Sequence, residues 1–171
     1  HPVSLCTGPV EDDCCGTVTL DSAYLNEIYG QIGISVNVRD PFAALSFPDV
    51  REPDDEINAA LSLSYFAGGL RGAGIDPNTI YVGFLGDLSD NTIGLAFLGA
   101  PSLPFAIVQD TFSDQVGTQI VAHEIGHVLG GEHEDATQPG QMMFDMLDIA
   151  AADAPGVLPA ISDANAAAIR S

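Results

Sequence analysis

Apolar residues in this chain follow two periodicities, and together they predict an α/β (α+β) domain with helices packed on a sheet. Short stretches alternate apolar and polar side chains, as strands do, while longer ones repeat apolar residues every three to four positions, as helices do. The 171 residues suit one domain, 1–171, and suffice to bury a substantial core. With 46% hydrophobic residues the composition is that of a folded chain, despite a formal charge of −20.

Taken in order, residues 17–20 alternate weakly and read as a short strand. Asp21 or Ser22 caps a helix through Gly30, with Tyr24, Leu25, Ile28 and Tyr29 on one side. Residues 32–38 alternate as a strand, and 41–53 read as a proline-broken loop. Asp54 caps a second helix carrying Ile57, Ala60, Leu61, Ser64 and Tyr65 at helical spacing, ending at Gly68-Gly69. A turn over 72–77 leads to a buried strand at 78–85, a polar turn at 86–91, and strands at 92–98 and 106–109. Asp114 caps a third helix, whose Val116, Ile120, Val121, Ile125, Val128 and Leu129 form one apolar face. Beyond it an irregular tract reaches Met142-Met143-Phe144, and Ser162 or Asp163 caps a closing helix through 169.

The third helix carries the chemistry. Residues 123–133 read HExxHxxGxxH, holding three of the four histidines in the chain. Positions four apart lie one turn above each other, so His123 and His127 share a face and can grip one ion. Gly130 can adopt the left-handed conformation that ends a helix, which turns the chain and brings His133 to the same ion. Three neutral imidazoles leave one tetrahedral position of a zinc ion open, the mark of a catalytic site. Glu124 sits beside the first histidine, placed to act as a general base.

Twenty-four acidic residues oppose four arginines, and lysine is absent. Such a charge repels phosphate backbones and argues against nucleic-acid binding. No apolar run approaches the roughly 20 residues of a membrane span. The acidic surface fits an extracellular, secreted protein in a saline medium, and some carboxylates are candidate Ca2+ ligands: Asp87, Ser89, Asp90 and Asn91 in one turn, and Asp54-Asp55-Glu56 in another patch. Cys6, Cys14 and Cys15 lie in the first fifteen residues; in an exported protein a disulfide from Cys6 to Cys14 or Cys15 is expected, with one thiol left over. The alternative role for a thiolate is a latency ligand to zinc. The chain starts at His1 without a methionine or signal-peptide pattern, so a processed catalytic domain is expected, with a propeptide or flanking domains outside it.

The elongated histidine motif, followed by methionine ten residues after His133, resembles the metzincin zinc endopeptidases. The resemblance implies a twisted mixed sheet of about five strands with helices packed on it. It also implies an upper subdomain, 1–133, with the active-site helix ending at Gly130, and a lower one, 134–171, with a methionine turn and the closing helix. Met143, with Met142 as the alternative, would be the hydrophobic floor below zinc. Residues 92–134, with Gly94-Leu95-Ala96-Phe97 and then Ile107-Val108-Gln109-Asp110, are similar to the reprolysin (adamalysin) branch, as are 25–36. Glu134 after the third histidine, and the lack of any cysteine beyond Cys15, depart from that branch.

The expected function is hydrolysis of peptide bonds in polypeptides, with zinc activating water and Glu124 as general base. The substrate would lie along the edge strand at Gly94, Leu95 and Ala96, where unpaired backbone groups can accept another strand. Met146, Leu147, Ile149, Ala150 and Ala151 would wall an apolar pocket. Two alternatives are a non-catalytic zinc-binding recognition module and a zinc hydrolase of small amides.

Overall fold

A computed structural model describes residues 2–7, 20–39, 42–47, 56–73, 76–98, 103–109, 114–134, 143 and 158–171. Their elements run β1 (Pro2–Thr7), α1 (Ser22–Gly30), β2 (Phe42–Phe47), α2 (Ala59–Ala73), β3 (Tyr81–Leu85), β4 (Gly94–Ala96), β5 (Phe105–Gln109), α3 (Asp114–Val128) and α4 (Asp163–Ile169). The architecture is mixed α/β, as the periodicities predict. The sheet has the order β2-β1-β3-β5-β4. Its first four members are parallel, and β4 runs antiparallel to β5, with Leu95 opposite Ile107.

Parallel strands are covered on both faces, so β3 and β5 read as nearly unbroken apolar runs. Alternate residues then divide between two cores. Val82, Phe84 and Val108 join α1, α3, α4 and Met143 on one face of the sheet. Tyr81, Leu85, Phe105 and Ile107 pack with Phe66, Ala67 and Leu70 of α2 on the other. Phe105 stands edge-on to Phe66 and stacks on Phe97.

Several expected boundaries shift for identifiable reasons. Residues 32–38 are not a strand: 31–33 turn and 34–39 run without ladder pairing. The Asn26 side chain takes both backbone groups of Val36, and β1 occupies the place beside β3. The expected loop at 41–53 contains β2, so Pro41 and Pro48 bracket a strand instead of marking a continuous loop. Leu20 is not in a strand, and 17–19 lie outside the described residues.

The second helix starts later than Asp54, which also lies outside the described residues. Ile57 is first held by a bridge to Leu88, with its N–H on Asp87 and its carbonyl taking the Ser89 N–H, both at 2.8 Å. Asn58 then caps the helix by accepting the Leu61 N–H, and Gly68-Gly69 lie within α2. The strand expected from 78 begins at Tyr81, because Asp76 folds Asn78 and Thr79 into a turn. Cys6 lies in β1, while Cys14 and Cys15 fall outside the described residues.

Candidate metal centre

The rigidity of the site comes from the way α3 is seated. Val116, Ile120, Val121 and Ile125 are buried in the core shared with α1. Thr118 accepts the Asp21 N–H at 3.0 Å, tying α3 to the start of α1. The buried Tyr29 hydroxyl donates to the Ala122 carbonyl at 2.8 Å, one residue before the first histidine. A helix fixed in this way holds its His123–His127 face in place.

Its end is a Schellman turn. Gly130 has φ +95°, its N–H bonds the His127 carbonyl at 2.9 Å, and the Gly131 N–H reaches the Gly126 carbonyl at 2.8 Å. Gly130 therefore does what the motif predicts. Gly131 has a separate steric role: a Cβ there would lie 2.9 Å from the Gly126 carbonyl oxygen.

That reversal carries His133 back to the helix. The three Nε2 atoms form a triangle with sides of 3.1 Å (His123–His127), 2.9 Å (His127–His133) and 3.3 Å (His123–His133). Imidazole nitrogens bound tetrahedrally to zinc at about 2.0–2.1 Å stand roughly 3.3 Å apart, so the donor set and spacing fit that ion. Among the described residues these three histidines are the group of metal-ligating side chains that converges. His127 donates from Nδ1 to the Gly131 carbonyl at 3.0 Å, which turns its Nε2 toward the triangle. Burial, opposed by the Gly131 hydrogen bond and aided by His133, lowers its pKa and keeps the ring in the neutral form a metal needs.

Glu124 is only 5% exposed, and burial pushes its carboxyl up to about 8. It packs under β4: a Cβ on Gly94 would lie 2.5 Å from the Glu124 Oε1. Gly94 is thus a seat for the glutamate. Leu95 and Ala96 do lie on a sheet edge, half-buried. A groove of about 390 Å³ runs past the end of β4, lined by Phe97, Leu98 and Pro104 on one side and by His127, Val128, Gly130, Gly131 and Glu132 on the other.

Met143 is buried at 1% exposure in the core that holds α3, and its carbonyl accepts the Glu134 N–H at 2.6 Å. Met142, Phe144 and the apolar residues 146–151 lie outside the described residues. In the acidic turn, Asp87 accepts from the Gln109 side chain at 2.9 Å, and Asp90 and Asn91 take left-handed conformations at φ 62° and 55°. Asp55 also lies outside the described residues, and Glu56 is exposed.

Asn165, on α4, escaped the sequence reading. It is 6% exposed and grips the backbone of Glu132. Its one sequence signal is a polar residue among the alanines of a short helix, at a position shared with the buried Ala166 and Ile169.

No family model matches the sequence, and no curated protein matches it. The fold is shared with solved structures. A zinc-dependent peptidase from Methanocorpusculum labreanum superposes with a TM-score of 0.60 at 19% identity, covering 98% of this chain and 99% of that one. An archaemetzincin from Archaeoglobus fulgidus, complexed with malonate, matches with a TM-score of 0.51 at 15% identity over 98% and 99%. Metalloproteinase-II from Bacteroides fragilis matches with a TM-score of 0.51 at 18% identity, over 98% of this chain and 51% of its own. The chain has the fold of zinc-dependent peptidases, and it carries three convergent histidines on that fold.

Proposed function

We propose that this chain is a zinc-dependent endopeptidase of the metzincin type, and the observation that carries the reading is the Nε2 triangle with a buried glutamate alongside. His123, His127 and His133 hold the metal. When bound, zinc supplies a Lewis acid and lowers the pKa of water to about 7. Glu124 removes a proton from the attacking water as the oxygen bonds to the peptide carbonyl carbon. It passes that proton to the amine nitrogen as the C–N bond breaks.

The substrate reading rests on β4. Among the described residues it is the last strand of the sheet, so an extended polypeptide can pair with it at Gly94, Leu95 and Ala96 and rest side chains in the groove beside Phe97 and Leu98. That edge favours a polypeptide over a small amide, and the retained Glu124 favours catalysis over recognition. Met143 is the floor methionine in this reading, supported by its burial against the core of α3. Residues 1–133 and 134–171 then form the upper and lower subdomains, and the likeness of 92–134 to reprolysins favours that branch. The charge of −20 and the lack of lysine favour a secreted enzyme. Among the described residues no helix is long and apolar enough to cross a membrane.

The test is degradation of an unfolded protein such as casein by wild type and Glu124→Ala, with metal content measured on both. Equal zinc content, activity lost in the variant, and loss and recovery in wild type on chelation and zinc return are expected. Substantial turnover by Glu124→Ala would overturn the assignment.

A further inference from the structure

The glycines that turn the chain toward His133 supply no side chain to hold it. Glycine loses more conformational freedom on folding than any other residue type, and His133 itself is exposed. A ligand on such a loop must be ordered when it binds, at a cost of about 1–2 kcal/mol per residue fixed. Something outside the loop therefore has to hold it.

The hold comes from α4. The Asn165 Oδ1 accepts the Glu132 N–H at 2.9 Å, and its Nδ2 donates to the Glu132 carbonyl at 3.0 Å. The side chain thus pairs with both backbone groups of the residue before His133, as a neighbouring strand would. The same Nδ2 donates to the Glu134 carboxylate, on the other side of the histidine. The Ser162 hydroxyl donates to that carboxylate too, and its oxygen accepts the Asn165 N–H as the cap of α4. His133 is thereby bracketed on both sides from one buried side chain. On the other flank the Gly131 carbonyl is the acceptor that orients His127.

We propose that Asn165 is a positioning residue for the metal centre, and that α4, through Asn165 and its cap Ser162 acting on Glu132 and Glu134, supports the zinc site. The Asn165 side chain bonds Glu132 and Glu134. It acts by fixing the backbone of 131–134, so that His133 and the His127 acceptor are in place before the ion arrives. The inference rests on the zinc reading of the histidines. The requirement for an amide is specific, because Glu132 presents one donor and one acceptor and Glu134 presents a second acceptor. Only a side chain with both kinds of group serves all three.

Two variants test it: Asn165→Ala, which removes the whole clamp, and the isosteric Asn165→Asp, which keeps an acceptor for the Glu132 N–H and loses the donor to the Glu132 carbonyl and to Glu134. Zinc affinity is read by competition with a fluorescent chelator, and the Glu132 amide by hydrogen exchange in the metal-free protein. Each variant should bind zinc about 10- to 100-fold more weakly, the range for a lost supporting group, with faster exchange at Glu132.

Variants that fold and bind zinc as tightly as wild type would overturn the proposal. So would weaker zinc binding with unchanged exchange at Glu132. If Asn165→Ala does not fold, Asn165→Asp alone decides, by the same criteria, and failure of both to fold assigns Asn165 to the core and ends the proposal. Wild type that binds no zinc would instead remove the proposed function. The exchange at Glu132 would then report on the clamp alone.

Discussion

Two polar turns of this molecule look alike in composition and differ in what their side chains face. The turn at 86–91 offers Asp87, Ser89, Asp90 and Asn91, and the turn at 130–134 offers His133, Glu132 and Glu134 beside two helical histidines. In the first, the polar groups serve the fold: Asp87 holds Gln109, its carbonyl holds Ile57, and Ser89 is buried with its N–H on Ile57. In the second, three ring nitrogens face one another at 2.9–3.3 Å, while the backbone around them is held by Gly126 and Asn165. A ligand site shows itself where the supporting groups bond the backbone and the side chains are left aimed at a common point.

The largest expected effect separates the two turns by function. Glu124→Ala should lower turnover by at least the 10²–10⁴-fold that general acid–base catalysis contributes, with zinc content unchanged. Asp87→Ala should leave both unchanged in the same assays. Loss of turnover in Asp87→Ala without loss of folding would erase the distinction.

The pH dependence of the metal-free protein sharpens it next. Burial raises Glu124 from 4.5 to about 8, so its contribution to stability is fully present below the lower value and is lost as pH rises through the upper one. His127 is lowered below 6.5, so its contribution is lost as pH falls through its folded value. Of these two groups Glu124 supplies the slope between pH 6.5 and 8, and it amounts to a few kcal/mol at most, on the order of what its displacement allows. Melting temperature should fall across that window in metal-free wild type and stay level in Glu124→Gln. Zinc should flatten it as well, because a nearby cation favours the carboxylate. A wild-type slope that survives Glu124→Gln would assign the titration elsewhere.

The legibility of this chain follows the range of the forces involved. The helix α1 and its cap, the ligand spacing on α3, and the turn at Gly130 are local, so residue type and interval sufficed. β2 was hidden because Pro41 and Pro48 are breakers by local rule, and a parallel partner found its run Phe42–Phe47 from afar. Residues 32–38 had the right alternation but lost to the Asn26 side chain and to β1, neither of which a periodicity can reveal. At the site, Asn165 and the closeness of Gly94 to Glu124 stayed silent for the same reason. Their roles depend on Glu124 and Glu132, roughly thirty residues distant in each case.

Gly131→Ala tests the backbone support of the histidine turn. Its Cβ would meet the Gly126 carbonyl at 2.9 Å and Asn165 Oδ1 at 3.3 Å, so the loop must shift. A loss of about 1–3 kcal/mol in unfolding free energy is expected, the range for overpacking, together with weaker zinc binding. A variant as stable and as zinc-avid as wild type would mean the close approach is dispensable.

The smallest effect belongs to the acidic turn. Asp87→Ala removes an exposed acceptor whose partner Gln109 can turn to water, so stability should fall by about 0.5–1.5 kcal/mol, the net value of one hydrogen bond. The backbone bridge from Ile57 to Asp87 and Ser89 is untouched by the change. Because the Gln109 amide occupies Asp87 Oδ1, any effect of millimolar calcium on melting temperature should be the same in wild type and variant. A calcium-dependent rise in wild type that disappears in Asp87→Ala would show that the donor yields to a cation. The two turns would then differ only in the ion they prefer.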